Sequence, residues 1–276
     1  MNSFVKSHGL GNDYIIFDKN HVQFPLKPSV IQRICHRNYG IGSDGILLFE
    51  KIDDENFSVR IFNPDGSEAE KSGNGLRILA KFLYDHGYTK NTKFYINTLG
   101  GKVEINLELD NERVKNIEVD MGKIEYIYVD KEIEINNEEK LNIVYLSIGN
   151  PHCVFFVDEI DEELIKDLGP KIENHPLFPN RTNVQMVKVI SDSTIEIRIW
   201  ERGAGYTLAS GSSSCASACA AYKKGLVKNN VKVIMPGGEL YVNIKENGHV
   251  FLKGPAQEIF EGTLSKEFLE ELIRIP

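Results

Sequence analysis

Two stretches of this chain repeat one another at a separation of 138 residues, half of its 276-residue length. A repeat of that size restricts the fold to two similarly built halves. In the first stretch the strand-like run Ser58-Val59-Arg60-Ile61-Phe62 leads through Asn63-Pro64-Asp65-Gly66-Ser67-Glu68-Ala69-Glu70-Lys71 to Ser72-Gly73-Asn74-Gly75. In the second, Thr194 to Trp200 leads through Glu201-Arg202-Gly203-Ala204-Gly205-Tyr206-Thr207-Leu208-Ala209 to Ser210-Gly211-Ser212. Each serine stands ten residues past the end of its strand, precedes a glycine and opens a helix-like segment. Two further pairs keep the offset. Gly11-Asn12 before Ile15-Ile16-Phe17 maps onto Gly149-Asn150 before Val154-Phe155-Phe156, and Gly42-Ser43-Asp44-Gly45-Ile46 falls close to Asn180–Val184. No short-period repeat accompanies them, which excludes a solenoid. The expectation is two halves that each offer a glycine-rich loop and a helix N-terminus to a cleft, a preferred place for small ligands.

A hydrophobic content of 41% over this length supports a substantial core and two domains. The net charge of −8 argues against a nucleic-acid surface. No apolar run reaches membrane-spanning length, and Met1 to His8 lacks a signal-peptide core, so a cytoplasmic protein is expected. The four cysteines, Cys35, Cys153, Cys215 and Cys219, form no CxxC pair. Cys215 and Cys219 fall on one face of an alanine-rich helical segment and read as small buried residues.

Strand patterns occur at Asp13–Asp18, Gly45–Glu50, Phe57–Phe62, Thr92–Asn97, Lys102–Leu109, Ile143–Ser147, Cys153–Val157, Val184–Ile190, Thr194–Trp200, Val231–Met235, Leu240–Ile244 and Val250–Lys253. Helical periodicity fits Ser29–Asn38, Asn74–His86, Ser212–Lys224 and Lys266–Ile273. Gly87 and Gly225 suit C-terminal caps. The charged stretch Asp130–Lys140 reads as an exposed hairpin or a linker between halves. The fold class is therefore α+β, with strands wrapping one central helix per half.

Small residues at Ser72-Gly73-Asn74-Gly75 and Ser210-Gly211-Ser212 leave backbone N–H groups free at two helix starts, where anions bind and negative charge is stabilised. Ser is also an apt N-cap, and capping is the competing explanation. No GxxxxGK[ST] pattern is present, which removes a nucleotide phosphate loop.

Asn63 to Arg77 resembles the first active-site motif of the diaminopimelate epimerase family, and Glu201-Arg202-Gly203 with Thr207-Leu208-Ala209-x-Gly211 resembles the second. His8-Gly9-Leu10-Gly11-Asn12-Asp13-Tyr14 and Gly149-Asn150-Pro151-His152-Cys153 match as well. The resemblance implies two pseudo-symmetric domains, each a mixed, barrel-like sheet around a central helix. It places residues 1–125 plus 262–276 in one and 126–261 in the other. It also implies an amino-acid racemase or epimerase of lysine biosynthesis that uses no cofactor and no metal, with a small-molecule amino acid as its partner and neither nucleic acid nor membrane; a homodimer is the assembly considered.

In that family two cysteines on opposite faces of the substrate carry the α-proton, and here Ser72 and Ser210 occupy their positions. The resemblance assigns Asn63, Asn150, Asn183 and Arg202 to the substrate's distal carboxylate and Glu201 to its distal ammonium. Amide donors with a guanidinium fork suit a carboxylate. It assigns Asn12, Gly73, Asn74, Gly75, Gly211 and Ser212 to the reacting end, and His152 to a place beside the first catalytic position. Tyr206 stands where the family usually has Glu, and Gly45 where it usually has Gln; Lys71 and Ser212-Ser213-Ser214 are atypical too. Engineered Cys→Ser changes would account for the serines alone, whereas these further departures favour natural divergence. A serine hydroxyl is a far weaker acid than a thiol, so proton transfer needs help from a partner such as His152 or Glu201. The expected function is a diaminopimelate epimerase-like isomerase. Racemisation of, or elimination from, another amino acid such as histidine is one alternative, and a non-catalytic amino-acid-binding protein is the other.

Overall fold

A computed structural model describes residues 2–135 and 140–276. In chain order it contains β1 (Ser3–Gly9), β2 (Asn12–Asp18), α1 (Pro28–Cys35), β3 (Ile46–Lys51), β4 (Asn56–Phe62), β5 (Glu68–Ala69) and α2 (Gly73–Asp85). Then come β6 (Lys93–Thr98), β7 (Gly101–Asp110), β8 (Arg113–Lys123), β9 (Glu125–Glu134), β10 (Lys140–Ser147), β11 (Pro151–Phe156) and α3 (Glu162–Glu173). The remainder is β12 (Asn183–Ser191), β13 (Thr194–Glu201), β14 (Gly205–Thr207), α4 (Gly211–Lys223), β15 (Asn230–Met235), β16 (Gly238–Ile244), β17 (His249–Gly254), β18 (Gln257–Thr263) and α5 (Lys266–Arg274). The class is α+β, as the patterning requires. Two compact units divide the chain, one made of Met1–Val119 with Pro255–Pro276 and the other of Asp120–Gly254.

In the first unit β1 lies antiparallel between β18 and β2, β2 runs parallel to β3, and β3 is antiparallel to β4. β4 then takes the short β5 antiparallel at one end and β6 parallel at the other. Helix α2 packs against β1, β2, β7 and β18 and is buried along most of its length, from Gly73 to Leu83. A second cluster joins α1 to the sheet through Val30, Ile31 and Ile34 and is completed by Leu264 and Leu272 from the end of the chain.

The second unit repeats this plan. β9, β10 and β11 are antiparallel, β11 runs parallel to β12, and β13 takes β14 antiparallel and β15 parallel. Helix α4 touches β10 to β13 and β15 to β17 and is buried from Ser213 to Ala221, which its run of Ser, Ala and Cys permits because no large side chain keeps the strands away. Glu134 pairs with Lys140, so the charged stretch forms the arms of a hairpin within this unit; residues 136–139 of that stretch lie outside the described residues.

The repeat extends to the register. Ile15 pairs with Ile46 as Cys153 pairs with Val184, Ile46 with Phe62 as Val184 with Trp200, and Ile61 with Ala69 as Ile199 with Thr207. Both central helices have 13 residues and end alike. Gly87 (φ 72°) and Gly225 (φ 71°) take the left-handed conformation, and Tyr88 and Leu226 donate back to Leu83 and Ala221. Among elements that patterning alone did not indicate are β1, β5, β8, β14, β18 and helix α3, and of β9 it marked only the charged half.

Candidate functional site

Ser72 and Ser210 hold equivalent places. Each is the N-cap of its unit's central helix, with φ/ψ of −139°/116° and −147°/127°. The Gly75 N–H donates to Ser72 Oγ at 3.0 Å, and the Ser213 N–H to Ser210 Oγ at 3.5 Å. Each serine caps its helix, and one side-chain oxygen satisfies only one of a helix start's free N–H groups. A side chain at Gly75 would be crowded: a Cβ would stand 3.0 Å from the Leu47 side chain and 3.3 Å from Ser72 itself.

In the first unit the structure brings Asn12 and Asn74 together. The Asn74 amide donates to Asn12 Oδ1 at 3.0 Å, Asn12 donates to Asp44 at 3.1 Å, and Arg77 donates to Asn74 Oδ1 at 3.0 Å. Arg77 is wholly buried and also reaches the carbonyls of Gly73 and Pro255. Asp44 in turn receives Arg37, which with Lys6 also binds Asp13. Asn63 sits in the turn after β4, where its amide donates to Ser67 Oγ at 3.0 Å.

In the second unit parallel pairing sets His152 opposite Asn183. Asn183 is buried; its amide donates to the Pro151 carbonyl and its oxygen accepts the Arg202 N–H. His152 is fully buried, and its Nε2 lies 3.0 Å from Asn150 Oδ1, so Nε2 carries the proton and Nδ1 presents a lone pair. Burial pushes His152 down to about 3; the nearby Gln185 amide opposes this and the charge of Arg202 adds to it. At neutral pH it is an uncharged hydrogen-bonding group. Glu201 accepts the Thr207 hydroxyl at 2.8 Å, and Arg202 reaches the Asn180 carbonyl. Gly211 and Ser212 open α4 behind Ser210, as Gly73 and Asn74 open α2.

Several residues shape the site without having been marked by the motifs. Glu173, buried at the end of α3, accepts Trp200 Nε1 at 2.8 Å, the Gly203 N–H at 2.9 Å and Arg181 at 3.1 Å, and so fixes the turn that carries Glu201 and Arg202. Its signal was the N-cap Asp161 followed by Glu162-Glu163, which opens α3. Gln185, also fully buried, donates to Ser213 Oγ.

Two departures acquire a physical account. The Tyr206 ring packs on the core under α3, with the Lys166 ammonium 5.4 Å from its centre, and burial and Glu162 push its phenol up. At Gly45 a Cβ would stand 2.5 Å from the Phe62 carbonyl and 2.6 Å from the Tyr14 ring, so that ring fills the space a side chain at 45 would need. The four cysteines are free and buried, and burial raises Cys35, Cys153 and Cys219. These three are held as thiols, poor stand-ins for a catalytic thiolate. The single cluster among the described residues with metal-ligand spacing, His86 with Glu258 and Glu261, lies at the far end of α2 from Ser72. No helix among the described residues is long and apolar enough to cross a membrane.

A sequence model of the diaminopimelate epimerase family matches residues 4–127 and 144–259. The chain is 46% identical to diaminopimelate epimerase 2 of Nostoc sp. over 99% of both proteins. It is 39% identical to diaminopimelate epimerase of Moorella thermoacetica over 94% of this chain and 98% of that one. Among solved structures, a hydroxyproline epimerase from Agrobacterium vitis with bound trans-4-hydroxy-L-proline superposes with a TM-score of 0.74, at 13% identity, over 95% of this chain and 90% of that one. A methylitaconate-delta-isomerase superposes with a TM-score of 0.66, at 14% identity, over 97% and 96%. At such identities these structures show a shared fold.

Proposed function

The chain belongs to the diaminopimelate epimerase family and is an epimerase-like isomerase; from that premise we propose that it inverts the α-carbon of an amino acid, with diaminopimelate the first substrate to test. Ser72 serves one direction of proton transfer and Ser210 the other. The observation that carries this is their shared setting, two N-cap hydroxyls in matching backbone conformation at two equally built helix starts. Free N–H groups there hold the substrate's α-carboxylate and stabilise the charge that builds on it as the α-proton leaves. Asn12, Asn74, Gly73, Gly75, Gly211 and Ser212 frame that reacting end. Asn63, Asn150, Asn183 and Arg202 receive the distal carboxylate, and Glu201 the distal ammonium. His152, neutral and buried, positions Asn150 rather than taking a proton. The reaction needs no cofactor, because a carboxylate held by helix termini is itself the acceptor of the developing charge.

The test is α-hydrogen exchange in D₂O with the stereoisomers of diaminopimelate and a panel of other amino acids, histidine included. Slow exchange is expected with the native chain, and exchange faster by about 10²-fold or more in the Ser72→Cys/Ser210→Cys protein, since a thiol is the better matched base. Exchange confined to another amino acid would move the substrate. Tight calorimetric binding without exchange in either protein would replace the isomerase reading with a binding function.

A further inference from the structure

The geometry points to Tyr14 as the proton partner of Ser72, a positioning residue that acts on the substrate through the serine hydroxyl. The inference rests on the isomerase reading above and supplies what a lone serine lacks. Tyr14 Oη lies 3.3 Å from Ser72 Oγ, and its ring is buried. The Gly75 N–H occupies one lone pair of Ser72 Oγ, which leaves the serine one proton and one lone pair to share between Tyr14 and a ligand. Gly45 is what admits the ring, since any side chain there would meet Tyr14 and the Phe62 carbonyl. The absence of a side chain at 45 and the hydroxyl at 14 are therefore one arrangement.

A phenol oxygen is a better proton carrier than an aliphatic hydroxyl, and its contact with Ser72 Oγ gives the serine proton somewhere to go. In the proton-removing step the Tyr14 phenolate takes the Ser72 hydroxyl proton while Ser72 Oγ takes the α-proton. The α-carbon keeps the C–H electron pair, and the negative charge passes from Tyr14 to the carbanion beside the bound carboxylate. The reverse sequence returns the proton. Charged groups on the surrounding elements include Lys6 and Arg37, which bind Asp13, Arg37 also binding Asp44, and Arg77, which binds Asn74 and backbone carbonyls.

Two measurements test the pair. The first follows the Tyr14 ring by NMR with labelled tyrosine, assigned through Tyr14→Phe, as pH rises in the wild-type and Ser72→Ala proteins. Loss of the serine hydroxyl is expected to shift the Tyr14 titration. The second is α-hydrogen exchange. Tyr14→Phe is expected to lower it about 10²-fold or more and to flatten its rise with pH. In the Ser72→Cys background the same change should cost less than about threefold, because the thiolate needs no relay. An unshifted Tyr14 titration overturns the proposal, and so does exchange that Tyr14→Phe lowers equally in both backgrounds. A shifted titration with no exchange on any amino acid would refute the isomerase reading while leaving the hydrogen-bonded pair standing.

Discussion

Replacing Glu173 with alanine removes the one carboxylate that holds together the turn bearing Glu201 and Arg202. Three donors lose their acceptor: Trp200 Nε1, the Gly203 N–H and Arg181. Glu173 is 5% exposed and Trp200 half-buried, so the indole donor is left poorly solvated, whereas Gly203 is exposed and its N–H can turn to water. Each buried donor without a partner costs about 1–3 kcal/mol. The Arg181 side chain is 54% exposed, and its ion pair adds only about 0–1 kcal/mol. The expected loss is therefore about 1–4 kcal/mol. Glu173→Gln keeps the shape and one acceptor oxygen and should cost about half as much. Trp200 is the only tryptophan in the chain, so its fluorescence during urea unfolding reports the affected unit directly. The midpoint should fall with an unchanged slope. Circular dichroism on the Trp200→Phe/Glu173→Ala protein closes a double-mutant cycle, with a coupling of about 1–2 kcal/mol expected because the orphaned indole donor is gone. A loss below about 1 kcal/mol for Glu173→Ala, or strict additivity in the cycle, would refute the argument that this carboxylate organises the turn.

Two other outcomes follow from the same geometry. Ser72→Ala should cost about 1 kcal/mol through loss of the cap, and Ser210→Ala less, since its acceptor distance is 3.5 Å against 3.0 Å; chemical denaturation that ranks them the other way would contradict this. His152 has a folded value of about 3 against about 6.5 when unfolded, so below pH 6.5 the unfolded chain binds the extra proton. Its contribution to stability is thus intact above pH 6.5 and is lost as pH falls towards 3, by up to about 1.4 kcal/mol per unit. Unfolding curves collected between pH 7 and pH 4.5 should show that slope, and His152→Asn should reduce it.

The twin helix starts could be read directly because their cues are local: strand, glycine-rich turn, serine, glycine. The strand registers that place Asn183 opposite His152 could not be read, since pairing partners distant in sequence leave no mark on either one. Helix α3 was hidden by Gly169-Pro170, which reads as a breaker yet sits inside the helix, and with α3 went Glu173. β9 was marked only in its charged half, Asp130–Glu134, because most of its side chains are exposed and no apolar alternation runs along it. In β8 the apolar positions Val114, Ile117 and Val119 slip by one residue, where a register shift interrupts the ladder with β7. Tyr14 lay in a recognised motif, but its contact with Ser72 depends on Gly45 and becomes visible only when β2, β3 and α2 are assembled.

The first unit is made of two pieces of chain that enclose the second in the sequence. During synthesis this reverses the usual order of completion. Residues 120–254 leave the ribosome as a finished set while β1 still lacks its β18 partner and the α1 core lacks Leu264 and Leu272. The half made first is the half finished last, and until β18 emerges the open edge of β1 is a place where a nascent chain can pair wrongly.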